Sequence, residues 1–183
     1  MHPNLIDAAQ AFLLVVDLQQ GYAGQLHAWE QTIERACILI RAAHELELPV
    51  LFTEQYPKGL GPTEPRVREA LGDAARFEKR TLSCWGAPGL ADHLTRLDRR
   101  HAILCGIETH ACISQTAHDL LPRGFTVHLP HDALGSRRPH EHELAYQKLL
   151  VSGALPASVE SVVLECLRSA DHPKFRAVQA LIK

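Results

Sequence analysis

Ala11-Phe12-Leu13-Leu14-Val15-Val16 is an unbroken run of six apolar residues, closed by Asp17. A half-exposed strand or an amphipathic helix would interrupt such a run with polar side chains. An unbroken one belongs to a strand buried on both faces, as in a parallel sheet covered by helices. The rest of the chain supplies those helices. Residues 28–47 carry Trp29, Ile33, Ala36, Cys37, Ile40 and Ala43 at helical spacing, and Pro49 stops them. A second strand is predicted at 50–53. Residues 54–74 read as a long Pro- and Gly-rich loop with one short helix near 65–71. A third strand follows at 75–78, a helix at 88–98, and a fourth strand at 101–105 ended by Gly106. Residues 110–121 place Ile113, Ala117, Leu120 and Leu121 on one helical face, and Gly124 closes that helix. A fifth strand at 125–129, a helix at 140–151 and a short sixth strand at 154–157 come next. Ser158 is placed to cap a helix bearing Val162, Val163, Cys166 and Leu167. Phe175, Val178 and Ile182 repeat the pattern in the tail, either folding back on the domain or serving an interface.

This alternation predicts an α/β fold: a three-layer, doubly wound, mainly parallel sheet of about six strands with helices on both faces. Right-handed crossovers give the order 3-2-1-4-5-6. The crevice of such a sheet lies beyond the C-terminal strand ends where the order reverses, so the residues after strands 1 and 4 are the first candidates for function.

The 183 residues are expected to form a single domain (1–183), long enough to bury roughly 70% of its surface without metal or disulfide staples. With 19 basic against 21 acidic side chains, no nucleic-acid groove or polybasic membrane patch is expected. The five cysteines (37, 84, 105, 112 and 166) are odd in number and share no CxxC spacing. They read as reduced thiols of a cytoplasmic protein. Met1-His2-Pro3-Asn4 has no basic n-region, and the first apolar run is too short for a signal-peptide core or a bilayer span.

Asp17 ends an apolar run, where a bare buried carboxylate is too costly; it is either a cap or functional. Lys79 follows strand 3 and is either an exposed cation or a long arm reaching toward strand 1, roughly 10 Å away at the usual strand spacing. Cys112 sits just inside a helix, where the macrodipole favours thiolate; the bland alternative is a small buried hydrophobe. Cys37, Cys105 and Cys166 fall in apolar elements and read as core; Cys84 fits either reading. His128 with His131, and His140 with His142, have metal-ligand chemistry, but their place at a strand end and in a polar loop favours exposure. No metal or other cofactor is expected. His110 adjoins Cys112 and fits either the pocket mouth or the surface.

Four stretches, Leu13-Leu14-Val15-Val16-Asp17-Leu18-Gln19, Thr53-Glu54-Gln55-Tyr56-Pro57-Lys58-Gly59-Leu60-Gly61, Phe77-Glu78-Lys79-Arg80-Thr81-Leu82-Ser83 and Cys105-Gly106-Ile107-Glu108-Thr109-His110-Ala111-Cys112, occur in this order. Together they resemble the isochorismatase-like cysteine hydrolase superfamily. The second stretch and the closing His172-Pro173-Lys174-Phe175 are similar to its isochorismatase domain-containing group. The resemblance implies a catalytic triad of Asp17, Lys79 and Cys112 and a cis peptide between Ile107 and Glu108. It also implies an oxyanion hole from the backbone N–H groups of Glu108 and Cys112, and a homo-oligomer. Thr109 is a competing N-cap whose hydroxyl has the reach to take the Cys112 N–H, and the sequence leaves both uses open.

The implied reaction is thiol-dependent hydrolysis of a small amide or related C–N bond through a thioester. Lys79 favours the thiolate, and Gln19, Gln55, Tyr56 and Trp85 are the candidate pocket wall for a small-molecule substrate. Nicotinamidases of this superfamily carry an Asp/His metal cluster after strand 2, where this chain has Glu54-Gln55-Tyr56-Pro57-Lys58 and no histidine. Isochorismate-type vinyl-ether cleavage needs an acid such as Asp17 but no thiol, so a retained Cys112 points to acyl chemistry. A catalytically silent scaffold of the same fold is the other alternative.

Overall fold

The apolar run is strand β1 (Ala11–Val16), buried at all six positions. The computed structural model describes residues 2–183. Side chains of β1 alternate between two cores. Leu13 and Val15 pack with Ile33, Ile40 and Val162 on one face. Phe12, Leu14 and Val16 pack with Leu104, Leu120 and Leu129 on the other. Burying each such side chain stabilises the fold by about 1.5–3 kcal/mol.

The other strands are β2 (Val50–Gln55), β3 (Ala75–Lys79), β4 (His101–Ile107), β5 (Thr126–Pro130), β6 (Leu134–Gly135) and β7 (Leu155–Ala157). The sheet order is β3-β2-β1-β4-β5-β7, with β6 pairing β4 off that path. All these pairs are parallel. The predicted order therefore holds, with the predicted sixth strand now β7. The added β6 has a simple cause. β5 pairs only with residues 101–103 of β4, so Gly106 and Ile107 are left for Leu134 and Gly135. Two residues leave no periodic trace in a sequence.

Helix α1 (Trp29–Glu45) covers one face, joined by α3 (Pro65–Leu71) and α7 (Val159–Leu167). The short α2 (Pro57–Leu60) lies in the connection from β2 to β3. Helices α4 (Leu90–Leu97), α5 (Ser114–Leu120) and α6 (Pro139–Val151) cover the other face. Ser158 caps α7 in a reciprocal box with Ser161. The tail helix α8 (Phe175–Ile182) folds back: Val178 is fully buried among Ala42, Val163 and Leu167. Its apolar face is therefore used inside the chain and is not left for an interface. Among the described residues, no helix is long and apolar enough to cross a membrane.

The centre of the sheet is drawn together by Gly106. It pairs with Val16 at φ +115°, and a Cβ there would meet the Val16 carbonyl oxygen at 2.1 Å. Only glycine permits that approach. The residue read as a strand terminator instead lets β4 run to Ile107 beside the end of β1. The Ile107–Glu108 peptide is cis. A wide π-helical turn, Thr109–Ile113, then leads into α5. Asp17 and Cys112 thus leave neighbouring strands at one end of the sheet.

Candidate active site

Asp17 has a left-handed backbone (φ 51°) and is buried beyond the end of β1. Its N–H donates to the Thr53 carbonyl at 3.2 Å. The Thr53 hydroxyl donates to Asp17 Oδ1 at 2.7 Å. Oδ2 lies 2.7 Å from the Lys79 ammonium. Each carboxylate oxygen thus has its own neighbour: Oδ1 the Thr53 hydroxyl, and Oδ2 the Lys79 ammonium.

Lys79 ends β3 and reaches across the end of β2 with its side chain fully buried. Its ammonium donates to Gln55 Oε1 at 2.6 Å, the Leu82 carbonyl at 2.9 Å and the Thr81 carbonyl at 3.2 Å. It also donates to Cys112 Sγ at 3.4 Å. Burial alone pushes this amine down, but Asp17, Cys84 and Cys112 outweigh it and raise its pKa above the ordinary value. It is a fixed cation placed between a carboxylate and a sulfur.

Cys112 retains 4% of its surface. Burial first, and then Asp17, push its thiol up to about 12 against the pull of Lys79. The sequence reading of a resting thiolate is corrected here. A sulfur taken out of water beside an anion holds its proton, and one ammonium shared among several acceptors does not reverse that. The arrangement instead suits proton removal at the moment of attack.

The Thr109 hydroxyl is engaged away from the Cys112 N–H: it donates to the Gly135 carbonyl at 3.1 Å and meets His142 Nδ1 at 2.8 Å. Glu108 is turned away from the sulfur chemistry by Arg137, whose backbone N–H (3.0 Å) and Nε (2.8 Å) both donate to Oε1. His110 Nδ1 is 3.0 Å from the Ser136 hydroxyl. Residues 108–110 are thus tied to residues 135–137 at three points.

Asp17, Lys79 and Cys112 come together; the four predicted wall residues do not all face them. Gln19 is fully buried, and its amide is spent within the protein. It accepts from Gln55 N–H at 2.7 Å and donates to the carbonyls of Gly61 (2.7 Å) and Gln55 (3.0 Å). It clamps a loop and is not a substrate group. Gln55 holds Lys79 and donates to the Arg80 carbonyl at 2.9 Å, so it positions the cation. Trp85 packs edge-on against Phe125 and under Arg123. Tyr56 alone faces an open cleft, of about 380 Å³, which also involves Lys58, Lys79, Arg80 and Gly86. Arg80 lies over its ring at 3.9 Å.

Two neighbours of the site, Thr53 and Tyr22, left no signal in the sequence, and a third, Cys84, fitted either reading there. Thr53 looks like any strand residue until its hydroxyl meets Asp17. Tyr22 sits in a short turn (Gln20–Tyr22), and its phenol is pushed up to about 12 by burial, then by Cys112 and Asp17. Cys84 is fully buried with its sulfur 3.7 Å from Thr53 Oγ1, and burial raises it to about 11. All five cysteines are free and buried, and Cys37, Cys105 and Cys166 are core thiols raised by burial. The predicted histidine pairs separate. His128 meets His101 Nδ1 through Nε2 at 3.0 Å across β4 and β5, His140 is exposed, and His131 meets His142.

Comparison with known proteins agrees with this architecture. The isochorismatase domain matches residues 11–161. Isochorismatase domain-containing protein 2 from Xenopus laevis is 38% identical over 171 residues, covering 93% of this chain and 82% of its own length. Among solved structures, the MAR1 ribonuclease from Caenorhabditis elegans superposes with TM-score 0.93 at 37% identity, over 97% of this chain and 92% of that one. YcaC from Pseudomonas aeruginosa, solved with hexane-2,5-diol and covalent acrylamide, superposes with TM-score 0.90 at 22% identity, over 99% and 93%. The last likeness shows the fold alone. A sheet of this order, matched by the domain over most of its length and by relatives above one third identity, shows that the chain belongs to the isochorismatase family of hydrolase fold.

Proposed function

We propose that residues 1–183 act as one cysteine hydrolase domain that cleaves a small amide or related C–N bond through a thioester on Cys112. The observation that carries this reading is the buried Lys79 ammonium, 2.7 Å from Asp17 Oδ2 and 3.4 Å from Cys112 Sγ. A surface ion pair would be exposed and exchangeable; this one is sealed beside a thiol. Breaking such a pair by removing one partner costs about 3–5 kcal/mol, so it is a costly feature to retain without use.

In the proposed cycle, Asp17 Oδ2 takes the Cys112 proton as sulfur attacks the carbonyl carbon. The backbone N–H groups of Glu108 and Cys112 receive the oxyanion, each such donor contributing about 3 kcal/mol. Collapse breaks the C–N bond, and Asp17 passes its proton to the leaving nitrogen. Water then attacks the thioester with Asp17 as base. The C–S bond breaks, the acid leaves, and the proton returns to sulfur. Lys79 holds Asp17 in place and eases charge on sulfur during attack. Cys112 is 4% exposed, so the side chains around it must part to admit a substrate. Assembly as a homo-oligomer and a cytoplasmic location belong to the same proposal.

RNA is a second substrate class, because the nematode relative is named a ribonuclease. A cleft of about 210 Å³ lined by His110, Arg137, Arg138 and Glu141 lies beside the nucleophile turn and suits a phosphate. A panel of small amides, esters, a vinyl ether and RNA, assayed with the wild type, Cys112→Ala and Asp17→Asn, decides between them. Amide turnover lost with the thiol supports the proposal. RNA cleavage that survives Cys112→Ala overturns it. Vinyl-ether cleavage dependent on Asp17 alone also overturns it, as does a partner that binds the wild type and Cys112→Ala equally with no turnover.

A further inference from the structure

His131 lies in the turn after β5, and His142 and Glu143 lie in α6. Their donor atoms converge: His142 Nε2 is 3.0 Å from His131 Nε2 and 3.9 Å from Glu143 Oε1, and His131 Nε2 is 3.4 Å from the same oxygen. A tetrahedral ion with bonds of about 2.0–2.2 Å to nitrogen and oxygen sets its donors about 3.3 Å apart. The three separations bracket that value.

The tautomer of His142 follows from its neighbours. The Thr109 hydroxyl has one hydrogen, and it goes to the Gly135 carbonyl. At 2.8 Å from His142 Nδ1, that hydroxyl oxygen must therefore accept, so Nδ1 carries the hydrogen and Nε2 the lone pair. A fixed outer hydrogen bond that leaves Nε2 basic is the usual second shell of a metal-bound imidazole. The ring of His131 is held as well. Tyr146 stands perpendicular to it at 4.7 Å, and the Tyr146 hydroxyl is anchored on the Leu129 carbonyl at 3.0 Å. A cavity of about 230 Å³, reaching His27 and Ser136, opens onto the three donors and gives an ion its path. Asp132 also borders it, but its carboxylate is engaged with the Val159 N–H and Arg35.

We propose that His131, His142 and Glu143 form a site for a divalent transition-metal ion of the zinc class, with a fourth position open to the cavity. In the metal-free protein the same lone pair accepts a hydrogen bond from His131 Nε2–H, so ion and proton compete for one place. The site does not depend on the thiol reaction. Its hydrogen-bonded link to that turn is Thr109, toward which a bound cation makes Nδ1–H a stronger donor.

The test uses untagged, chelator-stripped full-length protein dialysed against zinc alone and, in parallel, cobalt alone. The expected result is one ion per chain and a cobalt spectrum without thiolate charge-transfer bands. His131→Ala, at an exposed ring, should weaken binding about 100-fold or more, and Glu143→Gln about 10-fold, with metal-free melting temperatures unchanged. Zinc retention equal in the wild type and His131→Ala would overturn the site. So would a strong thiolate band lost in Cys112→Ala, which would put the ion on the catalytic sulfur.

Discussion

The π turn at Thr109–Ile113 has two sides built on opposite plans. On one side, Cys112 faces Asp17 and Lys79, groups delivered by the ends of β1 and β3 and sealed from water. On the other, Thr109 faces His142, which meets His131 and Glu143 from a turn and a helix beside an open cavity. Strand ends are fixed by the whole sheet, so the first side is rigid and its protons are set by burial. The second joins the buried Thr109 and His142 to His131 and Glu143, which reach solvent, so what occupies it is set by exchange. The difference teaches that position in the sheet selects chemistry: charge separation is affordable only where several strands share the cost of holding it.

The largest expected effect separates the two sides outright. Cys112→Ala should lower turnover by at least about 10⁴-fold, as loss of the nucleophile does in covalent hydrolases. Zinc retention should stay unchanged. Equal loss of both, in steady-state assay and dialysis, would break the comparison. Lys79→Met should follow. It leaves Asp17 buried without its cation, and denaturant unfolding should report a loss of about 3–5 kcal/mol. A loss under 1 kcal/mol would mean that water reaches the pair.

Next is the ionisation of the sulfur. Asp17 raises the Cys112 pKa and Lys79 lowers it. Asp17→Asn suits the left-handed position, where asparagine is tolerated. It should lower the thiol's pKa while removing turnover. Ultraviolet thiolate absorbance, referenced to a Cys112→Ala background, should show no ionisation of the wild-type thiol near neutral pH and an earlier rise in Asp17→Asn. An unchanged titration would remove Asp17 from contact with the sulfur.

The same shifts set the alkaline limit of stability. Cys84 is raised to about 11, and Cys112 and Cys166 to about 12, from 9.0. Folded values above unfolded ones mean that the native state binds more protons once the unfolded thiols ionise. Their contribution is complete below pH 9 and is lost as pH rises through the folded values. Stability should fall above pH 9 by about 1.4 kcal/mol per pH unit for each such thiol. The smallest effect lies away from both sides. Ser158→Ala breaks the α7 capping box and should cost about 1 kcal/mol with turnover and zinc binding untouched.

The sequence was informative where one residue pattern implies one environment. The run 11–16 could only be a covered strand, and strand spacing then put Asp17 and Cys112 at one rim. Lys79 was legible as an arm of the right length. Gln19, Gln55 and Trp85 were misassigned to a pocket wall for a common reason: a polar or aromatic residue near a site reads the same whether it faces substrate or clamps a loop. Only the bonds to Gly61, Arg80 and Phe125 distinguish the two. The resting state of Cys112 was misread because helix position was weighed without the desolvation that outweighs it. Strand β6 and the convergence of His131 with His142 had no periodic signature at all.

The central claim is that the sulfur beside the buried Asp17–Lys79 pair becomes covalently acylated during turnover. Acid quenching of the wild type during hydrolysis of an activated small amide or ester, followed by peptide mass spectrometry, tests it most directly. The account predicts one acyl group per chain on the peptide containing Cys112, and none on Cys37, Cys84, Cys105 or Cys166. Undiminished hydrolysis by Cys112→Ala, with no acyl group on that peptide in the wild type, would contradict it.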